Sequence, residues 1–216
     1  MYSSSKARST SEKKDIHASE RDTASVLQAR EDFRIEIAAI PLEKIHFIDE
    51  TGVNIAMARL YARATGGSRA QGAVPKNWGD NISLIGSLCI DGRMSAMTLP
   101  GSADSLAFLA YLEKILLPTL CKDDVVVMDN LSVHKSVVVR ETIERCGAKL
   151  LFLPPYSPDM NPIEQCWSKI KTALRAAAAR SIELLDLAVS AAIASVTAQD
   201  SRGWFGHSGY VSSTQS

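Results

Sequence analysis

Between Asp22 and Ile40, Val26, Ala29, Phe33, Ile37 and Ile40 recur at helical spacing, and Pro41 stops the run. Lys44-Ile-His-Phe-Ile-Asp49 then reads as a buried strand that ends on an acid. A weaker strand is expected from Ile55 to Arg63, ahead of the Gly- and Pro-containing stretch Thr65 to Pro75. Ile82 to Ile90 is a third strand, and Asp91-Gly92 is a hairpin signal that returns Met94 to Leu99 antiparallel to it. Ser102 is a candidate cap for a helix from Ala103 to Leu117, whose apolar stripe is Leu106, Leu109, Leu112, Ile115 and Leu116. Val125 to Met128 is a short continuous apolar run, typical of a central strand, and it leads into Asp129. A helix from Lys135 to Cys146 is closed by Gly147, and Lys149 to Leu153 forms another strand. The stretch Pro154 to Pro162 is too rich in proline for either regular element, and helices follow at Pro162–Ala179 and Ile182–Val196.

Antiparallel strands come first, and helix, strand, helix, strand and helix follow. That order predicts an α/β fold with a mixed sheet flanked by helices. Residues 1–21 are polar and charged and cannot bury enough apolar surface to offset ordering, so a disordered tail is expected there. Residues 22–41 are expected to be a linker helix, 42–200 the folded α/β unit, and 201–216 a C-terminal tail.

Charge narrows the choice of partner only locally. The 216 residues carry 24 basic and 24 acidic side chains, so there is no global argument for nucleic acid. Two stretches depart from that balance. Residues 51–79 hold Arg59, Arg63, Arg69 and Lys76, and residues 165–180 hold Lys169, Lys171, Arg175 and Arg180, with no acid in either. They are candidate DNA-binding faces or simply solvated ones. The four cysteines are scattered without a C-x-x-C pair, which argues against a zinc site of the usual spacing and against a disulfide framework. No segment has the length and unbroken apolarity of a transmembrane helix, and the Ser- and Lys-rich start lacks the apolar stretch of a secretory signal.

Three acids sit at element ends: Asp49 after the first strand, Asp129 after the central one, and Glu164 at the start of a helix. Ligands of open α/β sheets bind beyond strand ends, where helix N-termini also face. Carboxylates about 5 Å apart repel by about 3 kcal/mol at an effective dielectric of about 20, so such a cluster needs raised pKa values or a cation. Hard oxygen donors favour magnesium or manganese. Each acid also has a plain structural reading. Asp49 and Asp129 could belong to turns, and Glu164 falls at the capping-box position of a helix with Asn161 at its N-cap.

The blocks Phe47-Ile-Asp-Glu-Thr-Gly52, Met128-Asp-Asn-Leu-Ser-Val-His134 and Leu153-Pro-Pro-Tyr-Ser-Pro-Asp-Met-Asn-Pro-Ile-Glu164 resemble the three blocks of the DDE transposases, in particular the bacterial insertion-sequence branch of the mariner superfamily. The 34 residues between Asp129 and Glu164 are a spacing that branch uses, and Gly203 to Tyr210 resembles its ending. The resemblance implies a ribonuclease H-like catalytic domain with Asp49, Asp129 and Glu164 as catalytic ligands of two Mg2+ ions, for which Mn2+ substitutes. Glu50, Asn130 and His134 would be supporting groups, Tyr156 and its prolines would shape the loop before Glu164, and Trp167 is expected in the core. The implied partners are double-stranded DNA, as transposon ends and target, and further copies of the chain on that DNA, with no membrane. The implied setting is the bacterial cytoplasm, on the nucleoid.

The family also carries helix-turn-helix modules ahead of its catalytic domain, and the stretch before Asp49 is too short for them. This suggests the downstream half of a split gene, or a truncated, non-catalytic remnant that binds DNA or other transposase copies. A nuclease of the same fold acting on RNA–DNA hybrids is a third reading, disfavoured by the proline-rich block.

Overall fold

The computed structural model describes residues 18–59, 76, 81–131 and 134–211; expectations for the tail 1–17, for 60–75 with Arg63 and Arg69, and for 212–216 lie outside it. Five strands form one sheet in the order β3-β2-β1-β4-β5: β1 Ile45–Val53, β2 Ile82–Leu88, β3 Met94–Pro100, β4 Val125–Met128 and β5 Lys149–Phe152. β1 pairs antiparallel with β2, and β2 with β3, whereas β1 with β4 and β4 with β5 are parallel. This is the mixed sheet read from the element order. Gly92, at φ +86°, supplies the turn between β2 and β3, and its N–H donates to the Cys89 carbonyl.

The sheet has an apolar layer on each face. Alternate residues of β1 divide between them: Ile45 and Phe47 enter one layer, and Ile48 the other. The first layer gathers α1 (Ala24–Ala38), α4 (Pro162–Ala177), α5 (Ile182–Ala194) and α6 (Ala198–His207) through Phe33, Ile37, Ile163, Trp167, Ile170, Leu174, Leu185, Val189 and Phe205. The second gathers α2 (Ser105–Tyr111) and α3 (Val137–Glu144) through Phe108, Tyr111, Val139 and Ile143.

Several expectations need correction. β1 does not end at Asp49, because β2 continues to pair with it as far as Val53↔Ile82. The weaker strand is absent over residues 54–59: that segment leaves the sheet, and Arg180 holds it through the carbonyls of Ile55 and Met57. The cap of α2 is Asp104, whose carboxylate accepts the Ala107 N–H, and not Ser102. The helix is thereby phased to bury Phe108, Tyr111 and, in a π-helical turn Leu112–Leu116, Leu112 and Leu116, while Leu106 is 77% exposed. Residues 18–21 are not part of a disordered tail, since Ser19–Asp22 forms a 3-10 turn and Arg21 pairs with Asp159. The helix 24–38 docks on the core by Phe33 and Ile37, so it belongs to the folded unit rather than linking to it. The boundary at residue 200 falls inside α6, whose Phe205 packs edge-on against Phe47 at 5.3 Å.

Candidate functional site

The two aspartates are brought level by strand register. Phe47 pairs with Val127 across the parallel strands, and Asp49 and Asp129 each lie two residues further on. With a side-chain period of two they share the face of Phe47 and Val127, which is the face covered by α4. α4 starts at Pro162, whose missing N–H costs nothing at the first helical position. Its residues Ile163, Cys166, Trp167, Ile170 and Leu174 are buried at helical spacing, and this seats the helix on the sheet with Glu164 at its N-terminal end. Asp49, Asp129 and Glu164 consequently line one cleft of about 540 Å3, together with Asn130, Tyr156, Ser157 and Asn161.

Glu164 is not engaged as a cap. Asn161 makes no side-chain cap hydrogen bond, and its Oδ1 is buried without a partner. The Glu164 N–H goes to the Asn161 backbone carbonyl instead. The capping-box reading therefore fails.

Each aspartate has a fixed donor. The His134 ring, buried and stacked on Phe108 at 4.5 Å, places Nδ1 2.6 Å from Asp129 Oδ1, which also accepts the Leu131 N–H at 3.0 Å. Both bonds fall on Oδ1. His134 is thus not a surface histidine. Trp167, 2% exposed, is core as expected, yet its indole N–H donates to Asp49 Oδ2 at 3.2 Å. The ring needs Gly86, the β2 partner of Asp49, because a Cβ there would come within 2.8 Å of Trp167 Cη2. Reading the sequence missed this role; the available signal was that Trp167 follows Glu164 by three residues, on the same side of the helix. Asn130 donates from Nδ2 to the Leu153 carbonyl, tying the end of β4 to the start of the proline-rich loop. Glu50, on the opposite face of β1, is partly buried.

The electrostatics follow from burial and mutual repulsion. Burial pushes Asp49 up to about 7, with the charges of Glu164 and Asp129 adding to it against the hydrogen bonds of Glu50 N–H and Trp167. Glu164 is raised by burial and by Asp129, against the pull of Lys171, and Glu50 by burial and Asp129, against His134. Burial would raise Asp129 too, but the hydrogen bonds from His134 and Leu131 prevail and hold it below the usual range. Three oxygen donors that repel one another in one cleft have the chemistry of a site for a hard divalent cation. Among the described residues no group of three His, Cys, Asp or Glu side chains stands in a metal-holding arrangement.

The basic stretches divide. Arg59 and Lys76 are exposed, and Lys171 stands two turns along α4 from Glu164, near enough to act on its charge. Arg175 is partly exposed. Lys169 is occupied at 2.5 Å by Asp200 and by the Ser195 carbonyl, and Arg180 by the loop carbonyls, so neither presents an unengaged cation to solvent. An acid absent from the local sequence arrives from α6.

A second constellation lies at the opposite end of β1. Cys89 Sγ is 3.2 Å from His46 Nδ1, and His46 Nε2 is 3.2 Å from Asp124, which Lys44 also pairs. It has the order of a thiol-nucleophile triad, but Cys89 is 4% exposed and burial pushes its thiol up to about 12. The group is a satisfied buried network.

No curated protein matches the chain. Solved structures do, at identities that establish the fold: the Mos1 transposase paired-end complex with left transposon end, at 18% identity and a TM-score of 0.69, covers 94% of this chain and 63% of its own. The mariner Mos1 paired-end complex with Mg is similar at 17% identity and a TM-score of 0.68 over 94% of this chain, which spans 63% of that one. The isolated catalytic domain of Mos1 mariner transposase gives 16% and 0.64, with 88% of this chain and 90% of the other covered. The chain therefore spans less than two thirds of the longer relatives, nearly all of the catalytic domain, and has the ribonuclease H-like fold. The family model described as DDE superfamily endonuclease matches residues 44–186, which contain all three acids of the cleft, and the chain belongs to that superfamily.

Proposed function

We propose that this chain is the catalytic part of a DNA transposase of the mariner superfamily, bacterial insertion-sequence branch. In this reading it cuts double-stranded DNA at element ends and joins them to a target, using Asp49, Asp129 and Glu164 to hold Mg2+ or Mn2+. The observation that carries the proposal is the register: it sets Asp49 and Asp129 level on adjacent parallel strands, under the helix end that bears Glu164.

Phosphodiester cleavage belongs to the slowest uncatalysed reactions and needs on the order of 20 kcal/mol of barrier lowering. Two divalent ions in this cleft would supply much of it, by making an attacking oxygen more nucleophilic and by neutralising phosphoryl charge. The protein's own part is positional. His134 fixes Asp129, Trp167 fixes Asp49, and Asn130 fixes the loop ahead of Glu164. The reaction is in-line displacement at phosphorus: water attacks, the 3′ oxygen leaves as a hydroxyl, and that hydroxyl then attacks a target phosphodiester. Of the eight cations in the two acid-free stretches, Arg59, Lys76, Lys171 and Arg175 are the described ones left to hold the backbone. Assembly of several copies on paired ends and a place on the bacterial nucleoid belong to the same reading.

The test is nicking of supercoiled plasmid by the purified chain with Mg2+ or Mn2+. Asp129→Ala and Glu164→Gln are expected to abolish it. Nicking that persists undiminished in Asp129→Ala would overturn the assignment.

A further inference from the structure

The loop that delivers Glu164 is held from a distance by α1. Arg30 is 4% exposed, although it carries a permanent charge and sits more than a hundred residues away in sequence from its partners. Its guanidinium forks onto Asp159, with Nη1 to Oδ1 at 3.0 Å and Nη2 to Oδ2 at 2.7 Å, and Nη1 also donates to Ser157 Oγ at 2.6 Å. Ser157, itself buried, donates its hydroxyl hydrogen bond to the Pro155 carbonyl at 3.0 Å. Arg21 adds a second, more exposed pairing to Asp159 at 3.1 Å. From the other end of the chain, the Tyr210 hydroxyl donates to the Met160 carbonyl.

Burying a guanidinium is costly unless it is paired and hydrogen-bonded throughout, and a bidentate fork fixes direction as well as distance. The fork grips Ser157 and Asp159, immediately before the 3-10 turn Pro158–Met160 leads into Asn161 and the first turn of α4. Ser157, Pro158, Asn161 and Glu164 all line the cleft, whereas Arg30 does not. Arg30 therefore stands behind the cleft wall.

We propose that Arg30 is a positioning residue: its fork onto Asp159 and Ser157 sets where the proline-rich loop enters α4, and so where the Glu164 carboxylate stands relative to the two aspartates. The inference rests on the reading of Glu164 as a cation ligand. It also gives α1 a part in the site that its place ahead of the first strand does not suggest. Lysine cannot replace the fork, since one ammonium point charge does not span both carboxylate oxygens and the serine.

The test is Mn2+ binding to the full chain by calorimetry, with melting followed in parallel. Arg30→Lys and Asp159→Asn are each expected to weaken Mn2+ binding about tenfold in the parent and to add nothing in a Glu164→Gln background. Val189→Ala, which thins the core on α5, is the control: it lowers the melting temperature and leaves Mn2+ binding unchanged. Should Arg30→Lys not fold, Asp159→Asn carries the comparison, since it keeps the shape of the partner. Equal weakening in the parent and in Glu164→Gln, or none in the parent, overturns the inference. A Glu164→Gln protein that binds Mn2+ as well as the parent instead overturns the ligand reading beneath it.

Discussion

Asp49 is the residue whose environment makes the sharpest demands. Its carboxyl is raised from 3.8 to about 7 in the folded chain, so folding takes up a proton between those values and stability falls as pH rises through that window. Asp49→Asn carries no such charge. The metal-free variant is expected to melt higher than the parent at pH 8, by on the order of 10 °C at about 1.4 kcal/mol per pKa unit and roughly 2–4 °C per kcal/mol for a chain of this size, with the gap closing towards pH 4. Thermal melts across that range in a chelator check it, and a variant that melts lower than the parent at pH 8 refutes the cause given for the shift. Trp167 makes the complementary case. Trp167→Phe keeps most of the packing and removes the N–H that reaches Asp49, so Mn2+ affinity should fall while the fold survives a loss of about 1–2 kcal/mol. Gly86→Ala should act in the same direction by driving a Cβ against the indole, at about 1–3 kcal/mol. Calorimetric affinities unchanged in both variants would leave Trp167 a core residue alone. The three acids were legible in the sequence because each falls in a short local pattern, an apolar run leading into an acid for the two aspartates and a proline-started helix for Glu164, although β1 runs on past Asp49. The donors that hold them were legible only in part: the resemblance marked His134 as a supporting group, but its bond to Asp129 and that of Trp167 to Asp49 depend on burial and on the register of distant strands.

Among the elements, the strands were the most legible. Both faces of Ile82–Leu88 and Val125–Met128 are covered, so the first is buried throughout and the second is a continuous apolar run, and a hairpin glycine marks the turn after the first. The helices were harder wherever tertiary packing overrides local preference. The cap of α2 was misplaced by two residues, because Asp104 and Ser102 are both acceptable caps; of the expected stripe only Leu106 is exposed, while Leu112 and Leu116 are buried and Leu109 and Ile115 pack against the second layer. The expected tail from residue 201 takes in most of α6, whose Gly203 and Gly206 lower its helix propensity. Its capping box at Thr197 and Asp200 and the burial of Phe205 outweigh the two glycines. That element carries its own prediction. Phe205→Ala should cost about 3–5 kcal/mol, as large-to-small changes in a filled core do, even though it lies beyond the expected end of the folded unit. Chemical denaturation measures it; a loss below about 1 kcal/mol would return α6 to the status of a tail. Because Phe205 packs on Phe47, two residues before Asp49, the same variant also loosens the strand beneath the cleft.

At the scale of the whole molecule the question is how a chain with no net charge would hold the polyanion that the proposed function calls for. Its 24 cations and 24 anions give no long-range attraction, so affinity must come from cations that are both local and unengaged. A linear reading counts eight in two acid-free stretches. The fold removes Lys169, through Asp200 on α6, and Arg180, which closes the loop after β1. Lys171 and Arg175 remain on α4, the helix that also carries Glu164, and Lys171 is near enough to act on that carboxylate. This distribution sets the salt dependence of binding. Each phosphate neutralised contributes about −0.9 to the slope of log K against log salt on duplex DNA. With at most six of the eight available, the slope should be no steeper than about −5. Lys169→Ala should leave it unchanged while lowering thermal stability through the lost ion pair. Lys171→Ala should make it shallower by about one and weaken binding uniformly across sequences. Titrations of a labelled duplex at several salt concentrations decide the matter. A slope steeper than about −6, or a Lys169→Ala protein that loses as much affinity as Lys171→Ala, would mean that the Lys169–Asp200 pair opens on DNA and that the linear count was the better guide.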